Sequence, residues 1–150
     1  MQIDVRRLGA RDAEAVLAAG FLFDRPPDPE ATRRFLAEPT HHLLIACDVA
    51  GTPVGFVSGV ETTHPDKGTE MFLYELGVDE AARRQGVGRA LVEALAALAA
   101  QRGCYGMWTA TEPGNVAARR TYERAGARTT PAQVILEWRL PIDGGRAPPS

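Results

Sequence analysis

The chain of 150 residues has only two cysteines, Cys47 and Cys104. Both sit in apolar, strand-like stretches, so they read as reduced core residues and not as a disulfide framework. Neither belongs to a metal-ligand spacing, and no metal is expected. Basic residues are not in excess: the formal net charge is −2 and the pI is near 5.9, which argues against a nucleic-acid partner. The N-terminus lacks the basic-then-apolar pattern of a signal peptide, and no apolar run reaches membrane-spanning length. Those absences make a cytoplasmic protein with no membrane partner the expectation. There is no internal repeat and no interdomain linker.

What is present is ordinary for a soluble globular domain: 45% hydrophobic and 24% charged residues. The length suits one domain with a core that needs no staples. We expect that domain to span residues 1–143, with a disordered Gly- and Pro-rich tail over 144–150. A mildly acidic surface would suit a cationic substrate, although solubility alone accounts for it.

Hydrophobic spacing orders the chain. Residues 1–7 alternate as a short strand, and 11–19 carry a helical stripe. After the break at Arg25, Asp28 caps a helix that runs to about Ala37, with Pro29 at its first position. Strands over 42–49 and 54–60 form a hairpin, a polar loop fills 61–70, and 71–78 is the next strand. A helix follows over 86–102, closed by Gly103, then a strand over 105–111. A helix over 115–125 is capped by Asn115 and closed by Gly126, and 134–140 alternates as a last strand. This order is one α/β domain with a mixed sheet flanked by about four helices, in which 71–78 and 105–111 run parallel.

The junction at residues 74–90 carries the most information. An apolar strand ends at Val78, two arginines follow, and Gly86-Val87-Gly88 opens the long helix. Free N–H groups, a helix dipole and the cations Arg83, Arg84 and Arg89 suit one anion, a pyrophosphate. Gly88 removes a side chain where a phosphate approaches the backbone. Cations at a helix N-terminus oppose its dipole, so their presence is easier to understand with an anion between them. Two other nucleotide motifs fail: the dinucleotide fingerprint has Leu91 where its third glycine belongs, and the Gly-Lys-Ser/Thr of a P-loop is absent.

Arg83-Arg84-Gln85-Gly86-Val87-Gly88 resembles the Arg/Gln-x-x-Gly-x-Gly/Ala signature of the GNAT acetyltransferase superfamily. Asn115-x-x-Ala118-x-x-x-Tyr122-Glu123-x-x-Gly126 is similar to that family's second motif, in the expected order. The likeness runs from Met1 to about Leu140, with Ala127 where the family usually carries Phe. Within the family, the strand over 71–78 and the segment Thr111-Glu112-Pro113-Gly114-Asn115 are closest to the type I aminoglycoside 3-N-acetyltransferases, with Pro113 and Asn115 departing from their Tyr and Asp.

The resemblance implies acetyl-coenzyme A as co-substrate and a mostly antiparallel sheet splayed between 71–78 and 105–111. Pantetheine would lie in that gap against backbone near Leu76, Gly77 and Val78, and Asn115 would touch its arm. The pyrophosphate would take N–H groups from Arg84, Gln85, Gly86, Val87, Gly88 and Arg89, flanked by Arg83. A bulge is expected just after Glu75, at Gly77.

Acetyl transfer needs a neutral amine, a base for its proton, N–H donors for the oxyanion and a proton for the thiolate. Glu75 is the first candidate base; the alternative is a surface strand residue. Glu112 is the second candidate, or a cationic-substrate ligand, or a carboxylate steadying the following helix. Tyr122 is the candidate acid toward the thiolate, or a residue packed on the sheet. The oxyanion donor is expected at the backbone of Leu76 or Gly77. Glu61, Asp66, Glu70, Glu75 and Glu112 are expected near the pocket and would suit a cationic acceptor. His41, His42 and His64 read as loop or edge residues, and Trp108 and Trp138 as core or dimer-interface residues.

The expected function is therefore N-acetylation of a primary amine on a small cationic molecule, with an aminoglycoside-like substrate first. A peptide N-acetyltransferase and a coenzyme A-binding sensor without turnover are the alternatives. A homodimer through the apolar last strand is the expected assembly.

Overall fold

The structure, a computed structural model, describes residues 1–141. The tail expected over 144–150 and the end of the domain at 143 lie outside the described residues.

Five strands form one sheet in the order β1-β2-β3-β4-β5. They are β1 (Asp4–Leu8), β2 (His41–Cys47), β3 (Pro53–His64), β4 (Gly68–Val78) and β5 (Met107–Trp108). The first three pairings are antiparallel and β4–β5 is parallel. Helices α1 (Ala13–Ala18), α2 (Pro29–Ala37), α3 (Val87–Gln101) and α4 (Val116–Arg124) flank it.

Alternation along the strands splits the core in two. Leu43, Ile45 and Phe56 pack under α1 and α2 with Val16 and Leu36. Leu44, Ala46, Val57, Met71 and Leu73 pack under α3 with Leu91 and Leu95. Fully burying one such Leu contributes roughly 1.5–3 kcal/mol, so α3, which buries three leucine or valine side chains to 1% or less, is fixed by this face.

The helix ends follow their local chemistry. Asp28 Oδ2 accepts from Ala31 N at 2.8 Å with Pro29 at the first helical position, and Asn115 Oδ1 accepts from Ala118 N at 3.1 Å. Gly103 and Gly126, just past α3 and α4, take φ of 81° and 103°, as left-handed caps require.

Three expectations are corrected. Residues 61–70 are not a loop: β3 and β4 pair to His64–Gly68, leaving a turn with Gly68 at φ 83°. Polar residues can sit in this hairpin because its outer end is solvated on both faces; Thr63 and Thr69 pair their hydroxyls at 2.9 Å. The strand over 105–111 shrinks to Met107–Trp108, because its pairing with β4 ends at Phe72–Trp108. No strand forms over 134–140, and Val134, Ile135, Leu136, Trp138 and Leu140 are exposed. Its alternation is real, but a strand needs a neighbour for its backbone groups.

His42 is not an edge residue. Its side chain is buried, Arg7 Nε donates to its Nδ1 at 3.1 Å, and Nε2 lies 2.6 Å from Glu61 Oε2. Arg102 Nε also donates to that oxygen at 2.8 Å. Burial holds His42 below its usual pKa against the pull of Glu61, so at neutral pH it is a neutral tautomer donating from Nε2. Burial pushes Glu61 up, but hydrogen bonds from His42 and Arg102 outweigh it and leave its carboxyl below the ordinary range.

Candidate active site

The site is built on β4, where three local features meet. The first is a bulge. β3 and β4 shift register between Ser58, opposite Glu75, and Gly59, opposite Leu73. Tyr74 is the extra residue, so the bulge precedes Glu75, against the expectation that it follows. A one-residue insertion reverses which face the later side chains take. Met71 and Leu73 belong to the core under α3, and past the bulge so do Leu76 and Val78. Tyr74 and Glu75 consequently line one and the same cavity on the opposite face. An unbroken strand would have separated them.

The second feature is the parting of β4 from β5. The ladder stops at Phe72–Trp108 while β4 runs on to Val78. Thr109 Oγ1 donates to the Leu73 carbonyl at 3.0 Å just beyond the last pair. The backbone of Leu76, Gly77 and Val78 therefore pairs with β3 on one side and has no β5 partner on the other. This is the splay the family resemblance implies. Tyr122 packs against the core under α3, and burial pushes its pKa above the usual phenol value. It stays a proton donor at neutral pH.

The third feature is the turn into α3. Arg84 takes φ 63° and Gly86 φ 84°, both left-handed, and no side chain caps the helix. Alternating backbone of this kind turns successive N–H groups toward one point, an anion-binding concavity. A left-handed non-glycine residue is strained by about 1–2 kcal/mol, and such strain gathers at functional sites. Arg83 and Arg84 are exposed around it. Val87 is buried at the foot of α3, so only its backbone faces the turn. Gln85 Nε2 donates to Ala81 O at 3.2 Å, and Arg89 Nε is held by Glu93 at 2.6 Å. A Cβ on Gly88 would come within 3.1 Å of Thr121 Cγ2, so this glycine also lets α3 and α4 close.

Gly77 is there for a different reason from the expected distortion. An added Cβ would sit 2.4 Å from Leu22 O and 2.6 Å from Phe56 Cε1. The chain before α2 thus lies directly on β4, which brings Asp24 to Glu75: Asp24 N donates to Glu75 Oε2 at 3.1 Å. Burial raises the Glu75 pKa, and the nearby Asp24 carboxylate adds to it, against the stabilising bond from the Asp24 amide. A carboxylate so placed is a stronger base than an ordinary one.

The cavity beside Glu75 has a volume of about 350 Å³, between α1, α2 and the sheet. Phe23, Phe35, Leu43, Val60 and Tyr74 are in its wall. His41, read as a functionless edge residue, is in the wall too, against the Phe35 ring, with its buried Nδ1 lacking a partner among the described residues. Sequence reasoning gave neither these aromatic residues nor His41 a place in the site. Only their spacing across three separate elements, invisible in one dimension, unites them.

Other expected site residues go elsewhere. Glu112 is exposed before α4 and outside the cavity wall. Asn115 is committed to the α4 cap. Glu61 belongs to the His42 network, Asp66 pairs with His64 and Lys67, and Glu70 accepts from Tyr105 Oη at 2.8 Å. The expected acidic cluster does not converge; of its members only Glu75 lines the cavity. No group of metal-ligating side chains occurs among the described residues.

A bulged strand parting from its parallel neighbour, followed by a left-handed turn at the head of the next helix, is the arrangement of an α/β domain that the acetyltransferase resemblance implies. Residues 11–127 match the acetyltransferase (GNAT) family, and the chain belongs to it. A curated relative, the L-2,4-diaminobutyric acid acetyltransferase of Streptomyces coelicolor, is 32% identical over 106 residues, 67% of this chain. The chain spans about 61% of that relative's length. Among solved structures, an aminoglycoside acetyltransferase from an uncultured soil metagenomic sample superposes with a TM-score of 0.76 at 27% identity, covering 95% of this chain and 99% of its own. AAC(6')-Iy, in complex with the bisubstrate analogue CoA-S-monomethyl-acetylneamine, superposes at 0.79 with 20% identity, covering 93% of this chain and all of its own, and so shares the fold.

Proposed function

We propose that the protein transfers the acetyl group of acetyl-coenzyme A to a primary amine of a small molecule bound in the cavity between α2 and β4. The observation that carries this reading is the bulge at Tyr74. It aims Glu75 into the cavity while the next residues open toward the splay. Glu75 takes the amine proton, directly or through water. The amine attacks the thioester carbon, the oxyanion is held by backbone N–H near Leu76 or Gly77, and Tyr122 gives its proton to the departing thiolate. Acetyl-coenzyme A supplies the activated thioester; the turn from Arg83 to Arg89 holds its pyrophosphate.

The relatives' own acceptors are named as aminoglycosides and a diamino acid. What these share is a primary amine on a small molecule that is cationic at neutral pH, and that is the acceptor proposed; the resemblance alone points to an aminoglycoside-like one. A second copy of the chain is the proposed partner of residues 134–140. A thiol-release assay with acetyl-coenzyme A and a panel of amines tests the reading, with thermal stabilisation by acetyl-coenzyme A as the control. No thiol release with any amine, together with no stabilisation, rules it out.

A further inference from the structure

Resting on the acetyl-transfer reading, we infer that the acceptor is an amine carried on a compact apolar body, aromatic or branched aliphatic, and not a polycation. The cavity decides this. Glu75 is the carboxylate in its β4 wall, and Asp28, at the rim, uses one oxygen on the α2 cap. Asp24 adds charge close to Glu75, at the same end. Carboxylate charge for an ammonium, and the base to deprotonate it, are therefore offered by Glu75, Asp24 and Asp28 alone. Beyond that point the wall is Phe23, Phe35, Leu43, Val60 and the Tyr74 ring. Phe23 is stacked on Phe56 with ring centroids 3.9 Å apart, which fixes one aromatic wall.

An ammonium held against the apolar part of this wall would lose its water without gaining a counter-ion, which is strongly unfavourable. The acids that could have served are engaged elsewhere, with Arg102, Lys67, His64 and Tyr105. An apolar body fills the same space favourably and strengthens the Glu75–amine contact by excluding water. The bulge gives the wall both halves at once: Tyr74 offers a ring and Glu75 the base on consecutive residues.

The test compares kcat/KM of the full chain for 2-phenylethylamine, 3-methylbutylamine, spermidine, kanamycin and L-2,4-diaminobutyrate at fixed acetyl-coenzyme A. At least a tenfold preference for one of the first two is expected. Phe35→Ala should then raise KM for 2-phenylethylamine several-fold with little change in kcat. A preference for spermidine, kanamycin or diaminobutyrate overturns the inference and leaves acetyl transfer standing. Stabilisation by acetyl-coenzyme A without turnover of either apolar amine also overturns it. Absence of both stabilisation and thiol release overturns the underlying reading as well. If Phe35→Ala does not fold, inhibition of the wild type by N-methyl-2-phenylethylamine, competitive with the amine, stands in its place; no inhibition counts against the inference.

Discussion

Glu75 is held where a carboxylate ionises at a cost, and that cost has two consequences. Removing the proposed base while keeping its shape, in Glu75→Gln, should lower kcat/KM roughly 10²–10⁴-fold and leave acetyl-coenzyme A stabilisation intact. The same variant should respond to pH in the opposite sense from a surface substitution. The folded-state pKa of Glu75 is raised above 4.5, so the folded protein keeps this proton to higher pH than the unfolded chain. Its favourable contribution is complete below 4.5 and is lost as pH rises through the folded value. Gln carries no charge, so Glu75→Gln should gain stability relative to wild type as pH rises from 4.5 through the raised folded-state value, read by urea unfolding. A difference that does not change with pH would mean Glu75 is not desolvated. Gly77 makes a steric prediction at the same scale. Gly77→Ala places a methyl against the Leu22 carbonyl at 2.4 Å, an overpacking that should destabilise by about 1–3 kcal/mol, seen as a lower Tm.

Among the elements, α2, α3 and α4 were legible to within a residue or two because their caps are written locally: Asp28-Pro29, Gly86 with Gly103, and Asn115 with Gly126. The residues proposed as base and acid, Glu75 and Tyr122, and the turn before α3 were singled out for the same reason, through short motifs on single elements. The bulge was misplaced because register depends on what lies opposite: Ser58 and Gly59, on another strand, decide where Tyr74 is extruded. The acid cluster failed similarly, since polar residues at 61–70 could not be told from a loop until β3 and β4 paired along their full length. The cavity was not legible at all, as its wall draws on α1, α2, β2, β3 and β4. The turn before α3 is the element whose strain can be measured. Arg84 sits at φ 63°, a region Asn tolerates better. Arg84→Asn should leave the Tm of the ligand-free protein unchanged or higher, yet weaken acetyl-coenzyme A binding, with the loss shrinking as salt rises. A lower Tm would show that the Arg84 side chain stabilises the fold; unchanged affinity would remove the turn from the cofactor site.

For the whole molecule, the largest unresolved energy lies at its end. Val134, Ile135, Leu136, Trp138 and Leu140 are each 70% exposed or more, on seven residues with strand alternation. A monomer seldom leaves so much apolar surface contiguous in water. The sheet meanwhile ends in the two-residue β5, whose Trp108 is half exposed. An apolar alternating segment and an open edge on one molecule are complementary, and two copies can satisfy each other reciprocally. The segment forms no ladder with its own β5, which leaves it available to a partner's edge. The chain should therefore sediment as a dimer at micromolar concentration. Trp138→Lys combined with Ile135→Lys, which charges both faces of the segment, should convert it to monomer while acetyl-coenzyme A, proposed to bind at the turn before α3, still stabilises it. A wild type that sediments as a monomer would send the segment back to its own sheet. A double variant that stays dimeric would move the interface elsewhere.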